Sequence, residues 1–484
     1  MASPRGRWFE PLGAPVALLL FVTLAYFVGR PGWNQNSRLA LVRALVDRGT
    51  VAIDADAHTT GDRARRAGHA YSDKAPGASL AAVPAYALFD GARRLAGADP
   101  PAMTARDALG REIPPGDADA ARLPPGATVS FNATHRAALY VCALAAAALP
   151  TVAAAWAVAA LALLAGANRR DAVGAAVLYV VATPALAYGT NFYGHQLAAG
   201  TLAAAAVLVL RRGPRPAAEG LWAGALLGWC VAAEYPTAPA AAALWLYGSH
   251  RRGPRFAGAA AATGGLWALG LAAYHTAAFG SPFATGYDAV ELPRFAEGMR
   301  HRYGLGLPDP SVAFALLFGS YRGLFVAAPV AILAAFGLAV AVARRRAAAV
   351  LSAAMFVYFW LLNAGYYMWD GGSAAVGRHM LPGLPFLCVG LGQALARYRG
   401  AVLVVGAVSI LHATAFATAG PEAPAFGSAL YDYALPRLWN AAPRLDAPAG
   451  NLGLVLGLPG VVSLAPLGLV WWLRWPRRPA ATTR

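Results

Sequence analysis

Charge is the first thing this sequence is short of. Asp, Glu, Lys and Arg make up 13% of its 484 residues, about half the roughly one quarter found in soluble domains. With 58% apolar residues, the deficit excludes a disordered chain, a collagen-like fibre and an ordinary soluble enzyme. Cysteine is scarce too. Cys142, Cys230 and Cys388 lie far apart, each inside an apolar run, so neither a disulfide framework nor zinc spacing is present. Lysine is scarcer still: Lys74 stands alone against 39 arginines. There is no glycine-rich phosphate loop, no soluble segment large enough to hold a nucleotide, and no internal repeat of the kind from which transporters are built.

What is present is a series of long apolar runs, the mark of a polytopic membrane protein. The 35 Pro and 52 Gly do not argue against helices, because neighbouring spans re-satisfy freed backbone groups. Candidate spans are 12–28, 77–96, 136–165, 171–188, 195–210, 218–233, 237–249, 257–278, 324–343, 348–365, 380–396, 400–418 and 453–473. The expected fold is an all-α transmembrane bundle of 12 or 13 spans, a single integral domain over 1–484. The first run follows Arg5 and Arg7 and leads into Arg30-Pro31-Gly32-Trp33 without a small-residue cleavage site, so it reads as an uncleaved span.

The net charge of +17 does not point to nucleic acid. Arg169-Arg170, Arg211-Arg212, Arg251-Arg252, Arg344 to Arg346, Arg397 with Arg399, and Arg477-Arg478 sit in short loops between spans, the positive-inside pattern. Both termini are then cytoplasmic. The outer segments are 30–76, 189–194, 234–236, 279–323, 366–379 and 419–451. Parity fails at one place: either 77–96 is re-entrant, or the Pro150-interrupted run 136–165 is a pair of half-spans. The polar loop 98–135 contains no span.

The outer segments hold the unusual chemistry. Leu39, Val42, Leu45 and Val46 recur at helical spacing with charges between them, which predicts an amphipathic interfacial helix. Asp54, Asp56, Asp62 and Asp73, two histidines and Lys74 follow within 53–77. A solvated, mutually neutralised loop is enough to explain Asp56. A charged pair held against the bilayer, as at Asp73-Lys74, is costly without a partner. Where a genome drifts toward arginine, a single retained lysine points to a site that needs a compact ammonium. Tyr188 to Gln196, with His195 opening a span, Glu234-Tyr235-Pro236, Tyr321-Arg322 and Tyr366 to Asp370 before Arg378 are further outer features that fit a polar cavity. An interfacial aromatic belt accounts for part of the tyrosines but not for Asp370, Arg322 and Arg378 on one face.

Tyr71-Ser72-Asp73-Lys74-Ala75-Pro76-Gly77 resembles the Tyr-x-Glu/Asp-Lys-Pro-Pro element that closes the first outer loop of GT-C glycosyltransferases. Arg378-His379-Met380-Leu381-Pro382-Gly383-Leu384-Pro385 resembles the Arg-Tyr-x-x-Pro-x-x-Pro element beginning a late span in the same enzymes, which include protein mannosyltransferases and aminoarabinose transferases. The order of span, interfacial helix, acidic loop, Lys-Pro element and many spans matches over most of the chain. One departure stands out: Asn34-Gln35-Asn36 occupies the place where the family carries an acid pair, and an amide cannot act as a base.

The resemblance implies transfer of a sugar from a polyprenyl-phosphate donor to an acceptor hydroxyl on the outer face, in a cell envelope of the bacterial inner-membrane type. Lys74, Arg378, His379 and Arg322 are the expected phosphate ligands, and Asp73, Asp62 or Asp54 the expected base. Tyr71, His195, Glu234, Tyr235, Tyr321 and Asp370 are expected to line the cavity. A divalent cation, Mg²⁺ or Mn²⁺, is compatible with the hard oxygen ligands, though no spacing demonstrates a site. The expected partners are the polyprenyl-phosphate sugar, an acceptor and the lipid bilayer. The rivals are a non-enzymatic transporter or flippase of a lipid-linked glycan, and an inactive relative, which the amide triplet keeps open.

Overall fold

The computed structural model describes residues 11–211, 213–442 and 450–475. Arg5, Arg7, Arg212, Arg477-Arg478 and part of 419–451 fall outside the described residues. The chain is a mainly helical, multi-pass membrane bundle. Four helices are long and apolar enough to cross a membrane: Ala133–Leu164, Pro254–Phe279, Ala347–Ala364 and Leu391–Ala419. Shorter apolar helices include α1 (Ala14–Ala25), His195–Leu210 and Val330–Ala343. All three cysteines are buried and unpaired.

Small residues let the helices approach closely. Pro216–Ala233 carries glycines at 220, 224 and 228, one per turn, and packs along Pro254–Phe279. A Cβ on Gly224 would meet the carbonyl oxygen of Ala260 at 2.0 Å, so this small-xxx-small stripe fixes the interhelical distance.

The parity question has a structural answer. Residues 133–164 form one continuous helix. Pro150 cannot donate within it, and the strain is absorbed by a π-helical turn, Leu144–Ala148, just upstream. α3 (Gly77–Leu95) instead begins beside the end of Pro216–Ala233, where Trp229 Nε1 donates to the Gly77 carbonyl at 3.1 Å. It finishes close to Pro100, whose carbonyl accepts from Asn132 at the start of the long helix at 2.8 Å. The unbroken helix over 133–164 counts against a pair of half-spans there.

The bundle has two distinct faces. On one, Arg399 pairs with Asp171, Arg344 Nη1 reaches Gln393 Oε1 at 3.1 Å, and Glu219 takes Arg211 at 2.8 Å together with Arg252. These arginine loops cluster as the sequence implies. The opposite face gathers 30–76, 98–135, 279–323, 366–379 and the described part of 419–451. It carries the small sheets: β1 (Phe27–Val28) paired with β7 (Gly450–Asn451), the β2 (Arg63–Arg66) and β3 (His69–Ser72) hairpin, and an antiparallel trio ordered β5-β4-β6 of β4 (Met103–Arg106), β5 (Glu112–Ile113) and β6 (Thr128–Phe131). The trio explains how 98–135 stays polar: it folds on the loop face and does not cross.

The expected interfacial helix is α2 (Trp33–Arg48), but its setting differs. Residues 34–42 are all buried, polar and apolar alike. Its polar side is covered by the following loop, where Ser37 Oγ meets Ser72 Oγ at 2.8 Å, and by α3, where Ser79 Oγ donates to the Arg38 carbonyl at 3.0 Å. A helix covered on both sides is a wall of the site, not a float on the bilayer.

Candidate active site

The Lys-Pro element is held by its backbone. β3 ends at Ser72, whose hydroxyl accepts the Lys74 N–H at 3.3 Å. Ala75 offers its carbonyl to Arg38 Nη1 at 3.1 Å, and Pro76 sets the entry to α3. Gly286 brings a neighbouring turn onto the same element; a Cβ there would lie 2.5 Å from the Asp73 Cα. Lys74 Nζ is thereby fixed between two carboxylates, Asp62 Oδ2 at 2.9 Å and Asp73 Oδ2 at 3.2 Å.

From the distant second element, Arg378 and His379 enter the same cavity. This polar chamber, about 80 Å³, is lined among others by Asn34, Arg38, Asp62, Asp73, Lys74, His195, Glu234, Arg378 and His379. Arg378 lies over the Tyr193 ring, 5.9 Å from its centroid. His379 packs edge-on against Tyr366 at 4.6 Å and His195 at 5.8 Å. His195 Nδ1 sits 3.3 Å from Glu234 Oε1.

Several of these groups have one side unsatisfied. Asp73 Oδ1, Arg378 Nε and His379 Nε2 are buried and without a hydrogen-bond partner among the described residues. Buried polar atoms are rarely left so, and these three belong to residues that line one cavity. Burial pushes the Asp73 carboxyl up to about 6, against the pull of Lys74. Burial works to lower the Lys74 ammonium, but the Asp62 and Asp73 carboxylates outweigh it and hold it charged. Burial, with Arg378 and Lys74 beside it, takes His379 down to about 3, a neutral ring.

A second, apolar chamber of about 350 Å³ shares Glu234, Tyr287, Tyr366 and His379 with the first and adds Tyr235, Pro236, Tyr358 and Leu362. A charged pocket thus adjoins a larger greasy one, the arrangement that suits an amphipathic ligand with an anionic head.

The solved structures to which the chain is similar include ArnT from Cupriavidus metallidurans. The likeness to its crystal structure bound to undecaprenyl phosphate has 15% identity and a TM-score of 0.46, over 83% of this chain and 63% of that one. For the apo state the values are 15%, 0.48, 85% and 64%. The archaeal oligosaccharyltransferase AglB from Archaeoglobus fulgidus, in complex with an inhibitory peptide and a dolichol-phosphate, gives 14%, 0.43, 86% and 56%. The chain spans less than two thirds of the length of each. No family model and no curated protein sequence matches it.

Not every expected residue reaches the chamber. Asp54 is half exposed, accepts the Ala70 N–H at 2.6 Å and pairs with exposed His69 at 2.7 Å; it caps a surface turn. Arg322 is buried, with its Nη atoms on the carbonyls of Tyr321, Gly372 and Pro424 and its Nε without a partner among the described residues, and it does not line the chamber. Tyr321 donates to Asp370 Oδ2 at 2.9 Å, so these three residues brace the 366–379 loop. Tyr71 packs on Phe279. Tyr235 lines the apolar chamber and meets His275 Nε2 at 2.8 Å.

Arg38 is the residue the sequence reading lacks. It donates to Asn34 Oδ1 at 3.1 Å and to Glu234 Oε1 at 3.2 Å, fully buried. The signal was there in the i,i+4 spacing from Asn34, which puts both on one helix face. No group of three His, Cys, Asp or Glu suited to a metal occurs among the described residues. The two chamber aspartates share the Lys74 ammonium through Asp62 Oδ2 and Asp73 Oδ2.

Proposed function

We propose that the chain is a membrane glycosyltransferase of the GT-C type, taking a sugar from a polyprenyl-phosphate donor. The observation that carries this reading is the polar chamber of fixed cations and unpartnered atoms opening into the apolar one. Lys74 and Arg378 bind the phosphate, and the start of the isoprenoid tail lies among Tyr235, Pro236, Tyr358 and Leu362. In the reaction the bond from the anomeric carbon to the phosphate oxygen breaks, and that carbon bonds to the acceptor oxygen. The acceptor proton passes to Asp73, whose value near neutrality suits a general base. Charge developing on the leaving phosphate is stabilised by groups already in place, which avoids reorganisation at the moment of transfer. In this scheme Asn34 accepts from Arg38, and the base that the amide triplet cannot supply is Asp73.

The reaction proceeds at the loop face, which the arginine distribution makes the outer face, and without a divalent metal, because Lys74 fills the space between the two carboxylates. The test is transfer of radiolabelled sugar from polyprenyl-phosphate donors by the purified protein, with and without EDTA. Transfer that survives EDTA is the expected result. Vectorial release of intact lipid-linked glycan, with no transfer from any donor, would overturn the reading in favour of a flippase.

A further inference from the structure

The polar loop 98–135 takes no part in the chamber just described, yet it walls a cavity of about 340 Å³, far larger than the polar chamber. Its other wall is the start of α2. Here Arg30, Trp33, Asn36, Phe131 and Arg136 face one another, with the β6 residues Val129 and Ser130 along the rim.

The two cavities lie back to back. Trp33 faces this one while the next residue, Asn34, faces the polar chamber. Thr59 lines this one and Asp62 the other. The partition between them is thin and tightly packed. Thr60 Oγ1 donates to the Trp33 carbonyl at 2.7 Å, and Gly61 lies flat on the indole, where a Cβ would stand 2.6 Å from the ring.

The charge in this cavity has one sign. Arg136 Nη1 donates to the Phe131 carbonyl at 2.6 Å and Arg30 Nη1 to Tyr433 Oη at 3.3 Å. No carboxylate lies on the wall, and neither arginine has an ion pair within 4.0 Å among the described residues. Glu422, behind Arg30, accepts from Gln35 and from Tyr193 Oη at 2.9 Å and does not line the cavity. Two guanidiniums with unspent donors suit the planar bidentate recognition of carboxylate or phosphate. Trp33, whose ring packs between Gly61 and Arg294, and Phe131, which packs on His135 at 4.4 Å, complete the wall beside the arginines.

We propose that this arginine cavity is the acceptor site and that its ligand is an acidic glycan. The siting as an acceptor rests on the glycosyltransferase reading; the ligand class rests on the cavity alone.

The test uses the full chain in nanodiscs and four probes: maltotriose, maltotriose phosphate, trigalacturonate and a short polyprenyl phosphate. The wild type should bind at least one acidic trisaccharide roughly ten-fold tighter than maltotriose, the size expected for charge-assisted hydrogen bonds. Whichever acidic probe binds better identifies the anionic group. Arg30→Gln combined with Arg136→Gln should erase that preference and leave polyprenyl-phosphate binding unchanged. Val129→Glu puts a charge of the ligand's own sign on an exposed rim position; it should weaken the acidic probes and spare maltotriose. Lys74→Ala should do the reverse, losing polyprenyl phosphate and keeping the glycan. Equal binding of all three trisaccharides, binding of none, or unchanged acidic binding in Val129→Glu would overturn the proposal. Acidic-glycan binding without any polyprenyl-phosphate binding would support the ligand class and count against the glycosyltransferase reading instead.

Discussion

Two clusters on the loop face are built from the same residue types and come out opposite. Around Arg63, every charge is answered. Its guanidinium meets Glu291 Oε2 at 2.6 Å and Asp119 Oδ2 at 2.7 Å. Glu291 also takes Arg65 at 2.8 Å and Arg122 at 2.7 Å. No buried atom of Arg63, Asp119 or Glu291 is left without a partner among the described residues. This hub ties 30–76, 98–135 and 279–323 together. Around Lys74 the ammonium is answered twice, but Asp73, Arg378 and His379 each keep a buried atom unpaired. The difference separates a staple from a site: the first spends its charges on the fold, the second holds them for something that arrives.

That contrast can be broken most sharply at Lys74. Lys74→Ala should lower transfer about 10²–10³-fold, the size of losing one preorganised charge donor, while the variant extracts and runs as monodisperse protein. Lys74→Arg should be partly active at best, because the planar head demands a different phosphate geometry. Arg63→Ala should show the opposite pattern. Removing one partner of a buried ion network costs about 3–5 kcal/mol, so detergent thermal melts should drop markedly, and activity should scale with the folded fraction.

The pH dependence sharpens the comparison further. A base must be ionised to accept a proton, so with Asp73 near 6 kcat/KM should rise with pH through about 6 and level off above. Asp73→Asn should remove that limb along with most of the rate. At the hub the carboxyl is shifted in the opposite direction, and its effect is confined to a more acid range. Burial works to raise Glu291, but Arg63 and Arg65 hold it at about 2, below its usual 4.5. Its contribution to stability is therefore complete above the usual value and lost as pH falls toward about 2, visible as a melting temperature declining only in that acid range. The smallest effect belongs to Asp54, whose partner His69 is exposed: Asp54→Asn should leave transfer within about two-fold, as for a surface pair.

The chamber's two motifs were legible because each sits where an apolar run begins, so a charge there had no ordinary explanation. Lys74 was marked by rarity, Glu234 by its depth between spans. Asp54 and Arg322 misled for a physical reason: a sequence gives residue type but not whether backbone groups already satisfy it. Arg38 escaped because its neighbours at 39, 42, 45 and 46 made a surface pattern, and only the packing of 50–76 and α3 over that pattern buries it. The helical character was readable from hydropathy, but the span boundaries were readable only in part. Among the described residues four helices have the length and apolarity to cross. The stretches 380–396 and 400–418 run largely into Leu391–Ala419, with a kink at Tyr398, and 453–473 is broken into short helices. Around Pro150 a π turn keeps one long helix continuous.

The central claim is that the unpaired atoms of the polar chamber are a phosphate site. A cryo-EM map of the protein with a bound polyprenyl phosphate tests it most directly. The account predicts phosphate oxygens within hydrogen-bond reach of Lys74 Nζ and the Arg378 guanidinium, with the first isoprene units between Tyr235 and Leu362. A phosphate bound on the arginine face, or a lipid seated outside the bundle with the chamber unchanged, would contradict it.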